Sequence, residues 1–224
     1  MGTITGQQIV DRAWIKANDS GGAGGVRWPS AECLKWVNDA QREIVNQLPK
    51  ANAKMAQASV QAGSRQTLTG LGLTDGLEVL DVVCNVSGST RGRAITKRAR
   101  AWFDEQLPTW HVTAGSEAYH WIYDERDPEA FYLFPQPSGT KVEVIYAGAP
   151  TDLSALTDAI AIDDVYANAI QFFLLFSFYS KDATYTKSMQ QAASYWQLFL
   201  SCLGVRERSI ITNDQSGDAK AQGA

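Results

Sequence analysis

Carboxylates are concentrated in the stretch YDERDPE, which carries Asp124, Glu125, Asp127 and Glu129. Two carboxylates can hydrolyse a glycosidic bond by acid–base chemistry when a cleft fixes their separation, and several together can hold a divalent cation. The Asp-Pro dipeptide predicts a turn between two strands here, so we expect a solvated loop. A cell-wall hydrolase that uses these carboxylates is the enzymatic alternative.

Other residues with catalytic potential lack their partners. The stretch HVTAGSE places His111 near serine and threonine hydroxyls, but the chain has no GxSxG motif and no recognisable nucleophile–base pair. Cys33, Cys84 and Cys202 are far apart, and none is adjacent to a histidine. A zinc site needs clustered ligands. We therefore expect no enzymatic activity, no metal and no cofactor.

A basic cluster is the densest group of like charges in the chain. The stretch RGRAITKRAR allows three interpretations: a solvated face, a salt-bridging contact with an acidic protein partner, or a contact with nucleic-acid phosphates. The formal net charge of the chain is -4, which disfavours general nucleic-acid binding. The candidate partner-binding residues of this cluster are Arg91, Arg93, Lys97, Arg98 and Arg100.

Three stretches argue against a phosphate-binding loop, a membrane-spanning helix and a secretory signal. The stretch NDSGGAGGVRWPS is predicted to be a mobile connector, because no Lys-Ser or Lys-Thr follows its glycines as in a phosphate-binding loop. The longest apolar run, residues 169–179, is shorter than the roughly 18 residues of a membrane span. The N-terminal stretch MGTITGQQIVDRAW does not have the pattern of a secretory signal. We expect no membrane partner.

Two helices are predicted near the N-terminus, where apolar residues recur at helical spacing. Thr5 and Gln8 have the spacing of a capping box at the start of the first helix. Ser30 is the expected N-cap of the second helix, and Pro49 is expected to end it.

Two more helices are predicted after residue 163. Asp163 or Asp164 is the expected N-cap of the third helix, which is apolar on nearly all sides and should be buried among other elements or subunits. Gly204 lies where a left-handed C-cap is expected to end the fourth helix.

Between these helices the hydrophobic period changes from 3.6 to 2, which predicts strands. Leu80 to Val86 alternate along one strand. Residues 119–123, 131–134 and 141–146 predict a three-stranded meander within a sheet of five to seven strands, and residues 130–150 predict a hairpin. A short helix that ends at Pro108 is expected between the strands.

The order of these elements predicts an α+β fold. Distant helices must meet to bury their apolar stripes, so we expect a four-helix bundle of residues 1–56 and 151–204, with an antiparallel β domain of residues 57–150 inserted. Residues 205–224 are predicted to be an extended C-terminal tail. Alone such a tail should be disordered, so we expect a neighbouring subunit or partner to hold it. Its candidate partner-binding residues are Arg206, Arg208, Ile210 and Ile211.

Four stretches together resemble the head-to-tail adaptor proteins of tailed bacteriophages, in particular the tail tubular protein A type of short-tailed phages. The first is IVDRAWIKANDSGGAGGVRWPSAECLKWVNDAQREIV, which is similar to their first two helices and the intervening loop. The others are FDEQLPTWH, FYLFPQPSGTKVEVIYAGAP, and IAIDDVYANAIQFFLLFSFYSKDA followed by QAASYWQLFL. The likeness spans residues 4 to 204, and the glycine-rich loop and the C-terminal tail lie outside the recognised pattern.

The resemblance implies a structural virion protein without cofactor or catalytic residues. Such proteins form a ring, usually of twelve copies, which joins the portal protein to the tail nozzle protein and leaves a channel for the genomic DNA. The implied location is the neck of the virion, after assembly in the host cytoplasm. A head-completion or stopper connector of a long-tailed phage is the alternative within the same class.

Overall fold

The computed structural model describes residues 2–19, 27–181 and 186–221, and of residues 186 and 205–221 it describes only the backbone. The predicted glycine-rich connector lies largely outside these ranges. The structure divides into two compact units, one of Met1–Ala51 with Pro150–Ala224 and one of Asn52–Ala149. We call them the helical unit and the β unit. The prediction that residues 1–56 with 151–204 and residues 57–150 are separate domains stays a prediction.

Five α-helices are found among the described residues. Thr5 caps the first with the expected capping box, because its side chain accepts from the Gln8 backbone and the Gln8 side chain accepts from the Thr5 backbone. The second begins at Ser30, but Pro29 is its N-cap residue, so the expected Ser30 cap is wrong. The helices are α1 (Gly6–Lys16), α2 (Ser30–Gln47), α3 (Arg100–Gln106), α4 (Ala167–Lys181) and α5 (Thr186–Ala221).

The helical unit is built around α4, and the predicted four-helix bundle is wrong. Helices α1, α2 and α5 each pack against α4. The reason is the apolar circumference of α4, which needs neighbours on several sides and therefore makes it a central helix rather than one side of a bundle. Its buried residues are Ala167, Ala169, Ile170, Gln171, Leu174, Leu175, Ser177 and Phe178.

The C-terminal tail is not extended. Helix α5 continues through Gly204 to Ala221, so the predicted C-cap at Gly204 is also wrong. Residues 205–221 contain no proline, and adding residues to an existing helix costs less than starting a new one. The candidate side chains of Arg206, Arg208, Ile210 and Ile211 lie outside the described part of the structure.

The centre of the helical unit contains aromatic stacking between α4 and the segment before α2. The ring of Trp28 lies 4.5 Å from the ring of Phe178, at an interplanar angle of 8°. Both side chains are almost completely buried. The indole nitrogen of Trp14 donates to the backbone carbonyl of Trp28 at 3.1 Å, which ties α1 to the same centre.

Buried amides of α2 hold the chain where it returns to the helical unit. Asn38 donates to the carbonyl of Leu153 at 3.1 Å and accepts from the Leu153 N–H at 2.9 Å. The side-chain oxygen of Gln41 accepts from the Ala161 N–H at 2.7 Å. The segment that contains Leu153 and Ala161 has no regular backbone pairing at these groups, so the side chains of Asn38 and Gln41 supply its hydrogen-bond partners.

The N-terminal residues are held by the segment that leads into α4. The carboxylate of Asp164 accepts from the Thr3 N–H at 2.7 Å, the Thr3 hydroxyl at 2.6 Å and the Ile4 N–H at 2.9 Å. The neighbouring Asp163 accepts from the Val165 N–H and caps the turn before α4, as expected.

The β unit contains two four-stranded sheets and a two-stranded pair. Their strand orders are β1-β10-β3-β4, β2-β8-β7-β5 and β6-β9. The strands are β1 (Ala53–Ser59), β2 (Arg65–Thr67), β3 (Gly76–Ser87), β4 (Thr90–Ala94), β5 (Thr96–Lys97), β6 (Ala114–Gly115), β7 (His120–Tyr123), β8 (Ala130–Phe134), β9 (Gln136–Pro137) and β10 (Lys141–Gly148).

The predicted meander and the predicted sheet of five to seven strands are wrong, and the predicted antiparallel domain also contains two short parallel pairs. Strands β7 and β8 pair, but β10 lies between β1 and β3 in the other sheet, so residues 130–150 are not a hairpin. Prolines cannot donate to a ladder, and the connection after β8 is long enough to carry the chain to the second sheet. Strand pairs β5–β7 and β6–β9 are parallel.

Candidate interaction surface

Strand β7 and the preceding residue carry aromatic rings that lie beneath two residues of the basic cluster. The guanidinium of Arg93 lies 4.1 Å from the ring centre of Tyr119. The ammonium of Lys97 lies 5.0 Å from the ring centres of both Trp121 and Tyr123. The register of β5 on β7 pairs Lys97 with Trp121, and cation–π attraction then holds each cation over a ring.

These cations also act on the histidine of β7. The pKa of His120 is lowered, first by burial of the ring and then by the positive charges of Arg98 and Arg93. Its Nδ1 lies 2.6 Å from the hydroxyl of Thr96. We infer that His120 is neutral at physiological pH and adds no charge to this surface.

Arg91 has a partner inside the β unit. Its guanidinium lies against the carboxylate of Glu143, which is buried. The Glu143 carboxylate also accepts from the side-chain amide of Gln57 at 3.5 Å. Arg91 therefore completes a buried carboxylate site, whereas Arg93 and Lys97 lie over β7.

Arg100 joins the basic cluster to the acidic loop. Its guanidinium lies 3.4 Å from the carboxylate of Asp104 and 3.6 Å from that of Asp124. Asp104 also accepts from the indole nitrogen of Trp110 at 2.9 Å. The basic cluster and the acidic loop, which are separate in the sequence, are therefore connected through Arg100.

The acidic loop is held by arginines rather than arranged for hydrolysis. Asp127 forms an ion pair with Arg65 at 2.6 Å, and Asp124 faces Arg100. Within the described ranges no group of three or more His, Cys, Asp or Glu side chains can hold a metal ion. These contacts favour the solvated structural loop over a carboxylate pair that acts on a substrate.

The hydroxyl of Ser64 lies 3.1 Å from the Nδ1 of His111, an arrangement the sequence did not indicate. Ser64 is buried, and the His111 ring stacks on Trp110 with ring centres 3.6 Å apart. Both contacts fit packing around a small apolar cluster of the β unit, which is centred on Phe103, Trp110 and Ile122.

An open groove of about 870 Å³ lies between the start of α3 and the loop after β7. Lys97, Arg98 and Arg126 line it, are exposed and form no ion pair with a carboxylate of the described chain. The other charged lining residues are Arg100, Asp104, Asp124 and Glu125. We call this feature the mixed-charge groove.

Sequence reasoning missed two residues that build this surface. Arg126 lies inside the acidic loop, where the carboxylates on either side make the stretch look purely acidic in the sequence. Asn85 is buried in β3 and donates to the carbonyls of Arg93 and Ala118 at 3.1 and 2.7 Å, which ties β4 to the start of β7. A buried asparagine within an apolar alternation is the sequence signal for such a link.

A family model described as SU10 adaptor protein matches residues 4–222. The chain belongs to the SU10 adaptor protein family. The match confirms the resemblance at the level of a bacteriophage structural adaptor, and it extends beyond residue 204 to include the C-terminal helix. A comparison with curated proteins gave no match.

Membership of the SU10 adaptor family places the chain among structural components of the virion. Among the described residues, no helix combines the length and apolar character needed to cross a membrane. The mixed-charge groove is a candidate surface for binding other molecules, because several of its charged side chains are exposed.

Proposed function

We propose that this chain forms a ring of twelve copies that joins the portal protein to the tail nozzle protein and surrounds a channel for the genomic DNA. The family match over residues 4–222 carries the proposal. The finer assignment to the tail tubular type, and assembly in the host cytoplasm, are parts of the same proposal.

The surface of α5 supports side-by-side packing of helical units. Residues 188–205 contain no charged residue. Met189 and Leu198 are 58% and 45% exposed, and Trp196 is half-buried. Interface cores are depleted of charge and enriched in aromatic residues and methionine. This segment of α5 has the composition expected where one copy meets the next.

The charge of the chain supports a channel that DNA can slide through. Its formal net charge is -4, and a strongly basic wall would retain phosphates through counterion release. In the proposal, residues 205–224, with Arg206, Arg208, Ile210 and Ile211, bind the portal protein. The β unit faces the nozzle protein.

The test is negative-stain imaging of the purified chain with and without its portal protein. Full-length chain should form rings on the portal, while a chain lacking residues 205–224 should fold and fail to attach. A chain lacking only residues 222–224 is the control and should attach. Normal docking of the longer truncation would refute the role of the C-terminal residues, and absence of rings under all conditions would refute the assembly.

A further inference from the structure

The mixed-charge groove contains cations that the fold leaves without a counter-ion. Arg100 faces both Asp104 and Asp124, so these three lining residues leave one negative charge uncompensated. Lys97, Arg98 and Arg126 form no ion pair within the described chain. Glu125 is the remaining carboxylate of the lining. Four cations and three carboxylates line the groove, so it carries one net positive charge, and three of its cations have no ion-pair partner in the described chain.

We propose that the mixed-charge groove binds an acidic segment of a partner protein, whose carboxylates pair with Lys97, Arg98 and Arg126. This inference goes beyond ring assembly and does not depend on it. Charge complementarity identifies the occupant, because three exposed cations lie at one opening of about 870 Å³, a volume suited to several side chains.

The lining favours a protein segment over a nucleic acid. Three carboxylates, those of Asp104, Asp124 and Glu125, share the groove with the cations. A nucleic acid presents a phosphate at every nucleotide, so a strand along the groove would bring phosphates close to these carboxylates. A peptide can place single carboxylates opposite the cations and neutral residues opposite the acids.

The groove is partly ordered before anything binds. Lys97 already lies over the rings of Trp121 and Tyr123, and Arg100 is held between two carboxylates. Side chains that are already oriented lose less conformational entropy on binding. Arginines such as Arg98 and Arg126 can also bind a carboxylate through two parallel hydrogen bonds.

The test uses the full chain and a fluorescein-labelled peptide of alternating glutamate and alanine. Fluorescence anisotropy should show binding that weakens as salt rises from about 50 to 200 mM. The double variant Arg98→Glu with Arg126→Glu should bind the peptide at least about tenfold more weakly. The control Lys35→Glu with Lys141→Glu makes the same change in net charge at exposed lysines outside the groove, and it should bind as the wild type does.

The neutral pair Arg98→Gln with Arg126→Gln guards against misfolding of the charge-reversed variant. It should retain the wild-type near-ultraviolet circular dichroism and show an intermediate loss of binding. Equal loss in the lysine control would overturn the proposal, as would no peptide binding by the wild type. A labelled oligothymidylate of the same length that binds more tightly than the peptide would assign the groove to nucleic acid instead. None of these readouts requires ring assembly, so the two proposals can fail separately.

Discussion

The guanidinium Nε of Arg91 lies 2.9 Å from the carboxylate of Glu143, although the Arg91 side chain is 63% exposed and that of Glu143 only 3%. The hydrogen bond from Arg91 is the main reason that the pKa of Glu143 is lowered. An exposed cation from the edge strand β4 therefore keeps a carboxylate ionised on the central strand β10, which lies beyond β3 in the same sheet. This ion pair couples the acid stability of the β unit to one surface arginine.

Replacing Glu143 with glutamine should flatten the loss of stability in acid. The folded-state pKa of Glu143 lies below its ordinary value of 4.5, so its contribution is complete above that pH. The contribution disappears as the pH falls below 4.5 through the lowered value. Thermal unfolding midpoints at several pH values should fall less steeply for Glu143→Gln than for the wild type. Glu105→Gln, at an exposed position, should reproduce the wild-type slope, and an identical slope in Glu143→Gln would contradict the prediction.

Replacing Asp164 with asparagine should loosen the N-terminal residues. The amide keeps one acceptor oxygen but places an N–H group where the carboxylate now accepts from Thr3 and Ile4. Hydrogen exchange at the amides of Thr3 and Ile4 should become faster at neutral pH. Asp11→Asn changes an exposed carboxylate of α1 and should leave these rates unchanged. Equal protection in both variants would show that Asp164 does not hold this segment.

Replacing Asn38 with leucine should destabilise the helical unit by about 1–3 kcal/mol. The substitution keeps the shape of the side chain but leaves the N–H and carbonyl of Leu153 without their buried partner. Urea denaturation followed by circular dichroism measures the change. Asn46→Leu, at an exposed position of the same helix, should alter the free energy of unfolding by less than about 0.5 kcal/mol. Equal effects at the two positions would argue against the buried link.

Replacing Phe178 with alanine should cost about 3–5 kcal/mol of unfolding free energy, because a fully buried ring that stacks on Trp28 is removed. The tryptophan emission of the native protein should also shift to longer wavelength as water approaches Trp28. Phe176→Ala removes a ring that is only half-buried on the same helix, so its cost should be smaller. A larger loss of unfolding free energy in Phe176→Ala than in Phe178→Ala would contradict the prediction.

Features that depend on a few adjacent residues could be predicted from the sequence. The Thr5 and Gln8 capping box and the Asp163 cap involve hydrogen bonds within three residues, so residue type and spacing suffice to identify them. The strand from Leu80 to Val86 was predicted because alternation is a property of one segment. The end of the short α3 before Pro108 could also be predicted, because proline disfavours continuation of a helix.

Features that depend on distant partners could not be predicted in the same way. Alternation shows that residues 141–146 form a strand but does not say which strands are its neighbours, and β10 joins β1 and β3 rather than β8. Gly204 is a residue type that often ends a helix. A helix ends only where the backbone leaves the helical conformation, and no residue after Gly204 forces it to do so.

At the candidate site, the sequence likewise could not show which partner each cation of the basic cluster has. Its five cations were identified as one group, yet Arg91, Arg93 and Arg100 have three different partners in the β unit. Which cation stays without a carboxylate depends on the positions of Glu143 and Asp124, which are brought close only by folding. Arg126 could have been included by considering both charge signs in the loop after β7.

The central position of α4 has a consequence for synthesis on the ribosome. Helices α1 and α2 are translated long before α4, so their apolar stripes leave the exit tunnel with no helix to cover them. The β unit is contiguous in the chain, and all of its strands are available before α4 is made. The β unit should therefore fold first, and α1 and α2 should depend on chaperones until α4 has also left the exit tunnel.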